Sequence, residues 1–201
     1  VRKGYLYKSF SFSSMKQLIF HFILLITFSS IAQIQVSGVE SVENAVQKLA
    51  GEGVVITNVK YQFTGGGQPV GSFKDYFGVL GVDEGLVMTN GQAKDAGGPN
   101  ESSCKTTVNQ HESVEFSELD KLVDDLLYDL VVVEFDIEVS TDILEFTYVF
   151  GSDEYPEYVE NYHDVFGFFI SGPGIFGVKN LAVIPNTNIP VSVGTINANL
   201  N

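Results

Sequence analysis

The segment 144–171 constrains the fold of this chain more than any other part of it. Apolar side chains recur at every second position of residues 144–150, which places them on one face of an extended strand. Residues 165–171 form a second apolar run, and a polar loop joins the two runs. This pattern predicts a pair of antiparallel strands that bury one face against a core.

Other runs rich in β-branched and aromatic residues predict further strands, over residues 54–63, 85–89, 130–139, 181–184 and 190–196. Asn90-Gly91, directly after one of these runs, is a strong signal for a two-residue hairpin turn. Many short strands separated by Gly, Pro and Asn are typical of a mainly β protein. We predict an antiparallel β-sandwich of the jelly-roll-like kind.

Two short helices are predicted at the periphery of this sandwich. Ser37 and Glu40 have the spacing of a capping box, and apolar residues then recur at helical intervals as far as Leu49. The second helix is predicted to begin at Ser117 and to carry leucines on one face as far as Leu127.

The first 32 residues differ in character from the rest of the chain. Residues 15–32 combine a lysine, a short apolar run and a small-x-small cleavage pattern, which is the layout of a secretory signal peptide. The apolar run is short for a membrane span, which disfavours the alternative of an uncleaved anchor. We interpret 1–14 as an upstream extension and 33–201 as a single domain. We expect this domain to be C-terminally incomplete, with an anchor region missing beyond it.

The predicted mature chain is strongly acidic. All 25 Asp and Glu residues follow position 32, together with seven of the eleven Lys and Arg residues, which gives a formal net charge of −18. Such a chain repels nucleic acid and anionic membranes, because phosphate groups are bound by Lys and Arg. No transmembrane segment is predicted after the signal peptide.

The loop between the two strands of segment 144–171 is the best candidate for a binding site. Its acidic and amide side chains offer the oxygen ligands that calcium prefers, and we predict as ligands Asp153, Glu154, Glu157, Asn161 and Asp164. The alternatives are a solvated acidic loop and a surface that contacts a ligand directly. The residues predicted for such a contact with a glycan or protein are Tyr155, Tyr158 and Tyr162.

The sequence does not favour a catalytic function. Glu154 and Glu157 lie three residues apart on one loop and do not easily flank a glycosidic bond from opposite sides. The adjacent residues 111–113, His-Glu-Ser, lack the spatial arrangement that defines a triad. Cys104 is the single cysteine, so it has no disulfide partner within the chain and no metal-ligand spacing. We predict no catalytic residue and no organic cofactor.

Several motifs together resemble one protein family. They are GLVMTNG at 85–91, GPN at 98–100, VEFD at 133–136, YVFGSDEYPEY at 148–158, DVFGFF at 164–169, SGPG at 171–174 and KNLAVIP at 179–185. In their order and spacing, residues 42–201 resemble the choice-of-anchor L domain, a module of secreted bacterial proteins of Bacteroidetes-like lineages. His163 departs from the Asn that most members have at this position. The resemblance implies a location at the cell surface or outside the cell.

From these observations we predict an exported, cell-surface or secreted module for adhesion or binding, stabilised by calcium and without enzymatic activity. Its partner is expected to be a glycan or a surface protein. Two alternatives stay open: an N-terminal accessory part of a larger secreted hydrolase, and a purely structural spacer.

Overall fold

The computed structural model describes residues 34–37, 40–99, 113–156, 158–159, 161–162 and 164–197. Residues 33–201 form one compact unit. The predicted extension and signal peptide, at 1–14 and 15–32, lie outside the described residues. The same holds for Cys104, His111, Glu112, Glu157 and His163.

Short strands dominate the part of the chain that the structure describes. Nine strands and one α-helix are formed: β1 (Gln35–Ser37), α1 (Val42–Val46), β2 (Val54–Phe63), β3 (Val70–Lys74), β4 (Glu84–Met88), β5 (Val131–Val139), β6 (Val165–Phe166), β7 (Phe169–Ile170), β8 (Lys179–Asn180) and β9 (Val191–Ser192). Every strand pair is antiparallel. The mainly β, antiparallel class predicted from the sequence is therefore confirmed.

The sheets are small. One has three strands in the order β1-β3-β4, and the pairs β2-β5, β6-β9 and β7-β8 form two-stranded sheets. Two large stacked sheets, which a jelly-roll sandwich requires, are not seen among the described strands, and the sandwich stays a prediction.

The β2-β5 pair is the longest ladder among the described strands, and it confirms the strands predicted over 54–63 and 130–139. A β-bulge interrupts it between Thr57 and Lys60, so that one extra residue is accommodated on β2. Asn58 takes the left-handed conformation there, with φ 52°, and its Nδ2 donates to Asp136 Oδ2 at 2.6 Å. Ile56 and Ile137, directly opposite each other, turn toward the protein interior.

Small aliphatic side chains form the core. Ala45 and Val46 of α1 are fully buried, and α1 contacts β2, β3 and β4. Gly71 lets β3 approach β1 closely, because a Cβ at this position would lie 2.5 Å from the Ser37 carbonyl oxygen. The other buried apolar residues are Ile56, Val70, Ala93, Leu130, Ala182, Ile184, Val191 and Val193.

The first predicted helix exists, but its predicted start is wrong. The N-cap is Ser41, whose Oγ accepts from the Asn44 N–H at 3.2 Å, and a 3-10 turn, Gln47–Leu49, extends the helix. Ser37 instead ends β1, and Glu40 Oε2 accepts from the Ser72 hydroxyl at 2.5 Å. The capping-box pattern assigned Ser37 and Glu40 to the helix start, but Ser37 belongs to β1 and Glu40 binds Ser72 of β3.

The second predicted helix is wrong. Residues 117–127 form turns, and the N–H of Val114 donates to the Leu127 carbonyl at 2.9 Å in an isolated antiparallel bridge. A helix over residues 117–127 would hold its ends about 15 Å apart, whereas the bridge brings the two ends of the region side by side. An isolated helix of this length is also marginal, so the tertiary bridge prevails over the apolar periodicity.

The strand predicted over 144–150 is wrong as a hydrogen-bonded strand, although its pairing direction is recognisable. Phe146 packs edge-to-face on Phe168 with ring centroids 4.7 Å apart, and Tyr148 lies 5.4 Å from Phe166. These pairs keep one antiparallel register. Side-chain alternation determined which face packs inward. A ladder also needs backbone groups at hydrogen-bonding distance, and among the described residues β6 pairs with β9 and β7 with β8, while 144–150 pairs with neither.

The remaining strand predictions succeed in part. β4 confirms the run at 85–89 within one residue, and β1 and β3 were not predicted at all. The run at 165–171 is divided into two short strands, 190–196 is reduced to β9, and 181–184 keeps a single bridge from Val183 to Pro190. Asn90-Gly91 does not turn a hairpin, since among the described strands β4 pairs only with β3, and a 3-10 turn, Ala93–Gly97, follows it.

Candidate functional site

The acidic loop lies between the segment 144–150 and β6, and its described part is folded into helical turns. The N–H of Tyr158 donates to the Glu154 carbonyl at 2.9 Å, and the N–H of Tyr162 donates to the Tyr158 carbonyl at 3.2 Å. At the start of the loop the Glu154 N–H donates to Ser152 Oγ at 3.1 Å. These bonds give the loop a compact backbone that orients its side chains.

Asp164 is the best-anchored of the described carboxylates of the loop. Its carbonyl accepts from the N–H of the fully buried Val193 at 3.0 Å, so its backbone is tied to the core. Its Oδ1 accepts from Asn90 Nδ2 at 3.3 Å, and its Oδ2 accepts from the Ser152 hydroxyl at 3.4 Å. Both distances are long for hydrogen bonds to a charged acceptor, so the carboxylate is weakly satisfied.

Burial and neighbouring carboxylates disfavour negative charge at this site. Burial raises the pKa of Asp164, and the charge of Asp153 raises it further, while the bonds from Ser152 and Asn90 oppose this. Burial also raises the pKa of Glu154, with added repulsion from Asp164 and Asp153. Ionised at neutral pH, the group therefore holds charges that repel one another in a partly desolvated place.

A fourth carboxylate, Asp129, completes this group, and the sequence did not reveal it. Burial and the charge of Asp164 raise its pKa. Its Oδ1 is buried and accepts no hydrogen bond from any described residue, and its backbone is left-handed with φ 50°. A single Asp before β5, far along the chain from the loop, carries no signal of this proximity. We call Asp129, Asp153, Glu154 and Asp164 the acidic cluster.

The predicted metal ligands are only partly brought together. Asp153, Glu154 and Asp164 interact, whereas Asn161 is exposed and uses its backbone N–H to donate to the Tyr158 carbonyl at 2.9 Å. Within the described ranges, no three His, Cys, Asp or Glu side chains are already arranged to hold a metal ion. Asp129, Glu154 and Asp164 form no ion pair with a described residue.

The three tyrosines of the loop have different environments. The Tyr155 hydroxyl donates to the Ile196 carbonyl, which ties the loop to the chain beyond β9, and burial raises the pKa of this hydroxyl, with repulsion from Asp164 adding to the effect. Tyr158 and Tyr162 pack edge-to-face, with centroids 5.9 Å apart, and Tyr162 is 56% exposed. The pair Tyr158–Tyr162 therefore presents aromatic surface to solvent, while Tyr155 has an anchoring contact.

Together these observations define a class of protein: a small, mainly β domain with a carboxylate-rich loop. Across the residues searched, no α-helix has both the length and the apolar character needed to cross a bilayer.

The family model of the Choice-of-anchor L domain matches residues 34–201. The chain belongs to this family, as the motifs of the sequence predicted, and the membership indicates a surface-associated module. Comparisons with curated proteins and with solved structures gave no match.

Proposed function

We propose that this chain is an exported, non-catalytic binding or adhesion module of the cell surface, whose acidic loop is ordered by calcium. The observation that carries the proposal is the acidic cluster, in which burial and the charge of a neighbouring carboxylate raise the pKa of Asp129, Glu154 and Asp164. A divalent cation would relieve this repulsion, because it replaces the missing positive charge.

The chemistry of the donor set suits calcium. Calcium takes six to eight oxygen ligands from carboxylates, carbonyls and water in a flexible geometry. Asp153, Glu154 and Asp164 supply carboxylates, and the unpartnered Oδ1 of Asp129 offers another. Glu157 and Asn161 remain in the proposed ligand set from the sequence, and the described donors would have to converge by side-chain rotation on binding.

Calcium at this place would also organise the aromatic surface of the loop. Backbone hydrogen bonds link Glu154 to Tyr158 and Tyr158 to Tyr162. A fixed loop would present this pair to a glycan, whose rings stack on flat aromatic faces, or to a surface protein. In the sandwich that the sequence predicts, this loop would lie at one end of the domain.

A thermal melt of residues 33–201, purified in EDTA and repeated in millimolar calcium, tests the calcium step. A ligand that binds only the folded state raises stability by mass action, by about 2.7 kcal/mol at a hundredfold excess over Kd. We expect a rise in Tm of several degrees.

Asp153→Ala should abolish most of this rise and lower Tm only when calcium is present. Asp142→Ala is the matched control, since Asp142 is an exposed acid outside the loop. An equal loss for Asp153→Ala with and without chelator would refute calcium ligation. Absence of any calcium shift in the parent would leave the structural spacer as the better description.

A further inference from the structure

The loop between β3 and β4 exposes three large apolar side chains. Residues 76–82 carry no charged side chain. Tyr76 is 65% exposed, Phe77 62% and Val79 51%. Large apolar side chains grouped on one exposed loop indicate contact with an apolar phase or partner. We call residues 76–82 the aromatic tip.

The aromatic tip is held from beneath by one carboxylate. Asp75 is only 6% exposed; its Oδ1 accepts from the Phe77 N–H at 3.1 Å and its Oδ2 from the Leu80 N–H at 2.6 Å. The N–H of Asp75 in turn donates to the Asp83 carbonyl at 2.7 Å, which closes the loop. Gly78, with φ 69°, allows the turn at the apex.

This arrangement lowers the free energy needed to remove the tip from water. Backbone N–H groups without partners are the main obstacle to placing a loop in an apolar medium. Here those of Phe77 and Leu80 are already bonded inside the loop, and the aromatic side chains point outward. The tip is also fixed before binding, so little conformational entropy is lost.

The size and charge of the tip indicate a lipid surface as its occupant. A stable protein interface uses about 20–30 residues a side, and the uncharged tip has seven. At its base Lys74 and Glu84 pair at 3.7 Å and so compensate each other. The strong acidity of the chain disfavours an anionic membrane but leaves a zwitterionic one acceptable. Tyr and Phe are suited to the boundary between headgroups and acyl chains.

We propose that the aromatic tip inserts into the interfacial region of a zwitterionic bilayer, with Tyr76, Phe77 and Val79 as the inserting side chains. The inference is independent of the calcium proposal, since Asp75 and its donors lie outside the acidic cluster. It adds a contact with lipid to a module whose family is surface-associated.

Tryptophan reporters test the proposal, because the chain contains no Trp. Residues 33–201 are used, which excludes the apolar run of 15–32 from the lipid readout. Phe77→Trp and the control variant Tyr61→Trp, at an exposed position of β2 beside the charged Lys60, are each mixed with phosphatidylcholine vesicles in EDTA. We expect a blue shift of the emission for Phe77→Trp and none for Tyr61→Trp. No shift at position 77, or equal shifts at both positions, would overturn the proposal.

Sedimentation with the same vesicles measures the parent chain without a reporter. The double variant Tyr76→Ser/Phe77→Ser should partition at least about tenfold more weakly, since two exposed aromatic side chains lose their burial in lipid. Its melting temperature in buffer verifies that the fold is retained. Binding by the parent that disappears in high salt, or that requires anionic lipid, would indicate an electrostatic contact and would refute insertion.

Discussion

Two carboxylates of this domain, the buried Asp75 and the partly buried Asp164, have opposite electrostatic environments. The N–H of Leu80, with other N–H groups of its loop, lowers the pKa of Asp75, although burial opposes this. Burial raises the pKa of Asp164, and Asp153 adds repulsion, against two long side-chain hydrogen bonds. The neighbours of the Asp75 carboxylate are backbone N–H donors, whereas those of Asp164 include another carboxylate.

The difference indicates which of the two loops is stable without a bound ligand. The Asp75 loop reaches its folded form without a ligand, because the charge it buries is already hydrogen-bonded. The acidic cluster keeps unfavourable charge in the folded state, which is a common property of places where a ligand binds. Each of the following predictions tests one side of this contrast.

The largest expected effect is the loss of the Asp75 carboxylate. Asp75→Ala leaves several backbone N–H groups without an acceptor, so we expect Tm to fall by several degrees, equally in EDTA and in calcium. Glu84→Ala, which removes only the exposed pair with Lys74, is the control and should change Tm little. A loss confined to the calcium condition would contradict the assignment of Asp75 to a ligand-independent loop.

The next largest effect is expected at the acidic cluster. Asp164→Asn keeps the shape of the side chain and removes its charge, so in EDTA it should leave Tm unchanged or raise it slightly. In calcium the same variant should lose most of the shift seen for the parent. Paired melts with and without calcium measure both effects, and a variant that lost stability in EDTA yet kept its calcium shift would count against the proposed ligand role.

Acidification should change the free energy of unfolding in opposite directions through the two loops. A raised pKa means that the folded state binds protons more readily, so in EDTA the cluster should stabilise the fold as pH falls from neutrality toward 4.5, the ordinary value for Glu. Below 3.8, the ordinary value for Asp, protonation of Asp75 should reverse the trend, because a lowered pKa stabilises only the ionised form.

Denaturant unfolding at a series of pH values measures this profile. Asp164→Asn should flatten the rise on acidification and leave the fall below 3.8 in place. Stability that decreased steadily from neutral pH downward in EDTA would show that repulsion in the cluster is not significant.

The smallest effect is expected at Asp129. Asparagine also tolerates the left-handed backbone, so Asp129→Asn changes the charge and not the turn. We expect a gain of about 0.5 kcal/mol or less in EDTA, within the range of most single substitutions away from the core, and a reduced calcium shift. A large loss of stability would mean that Asp129 has a structural partner instead of an unfavourable charge.

The success of the sequence predictions depended on how local the signal was. The β2-β5 strands were predicted almost to the residue, because β-branched content and alternation are properties of each strand alone. Helix α1 was predicted, but its cap was placed four residues early, since Ser37 and Glu40 are used by β1 and Ser72. The helix at 117–127 failed because a bridge between Val114 and Leu127 decides that region.

The acidic loop shows the same division. The mainly β class, the family membership and the density of carboxylates and tyrosines between 152 and 164 were predictable, because they are properties of composition and short-range order. Only the tertiary structure placed Asp129 and Asn90 beside Asp164, tied Tyr155 to Ile196, and gave Asp75 its ring of backbone donors. Burial and charge proximity arise from packing between distant segments. They decide for which of the many acidic residues the ionised form is stabilised and for which it is destabilised.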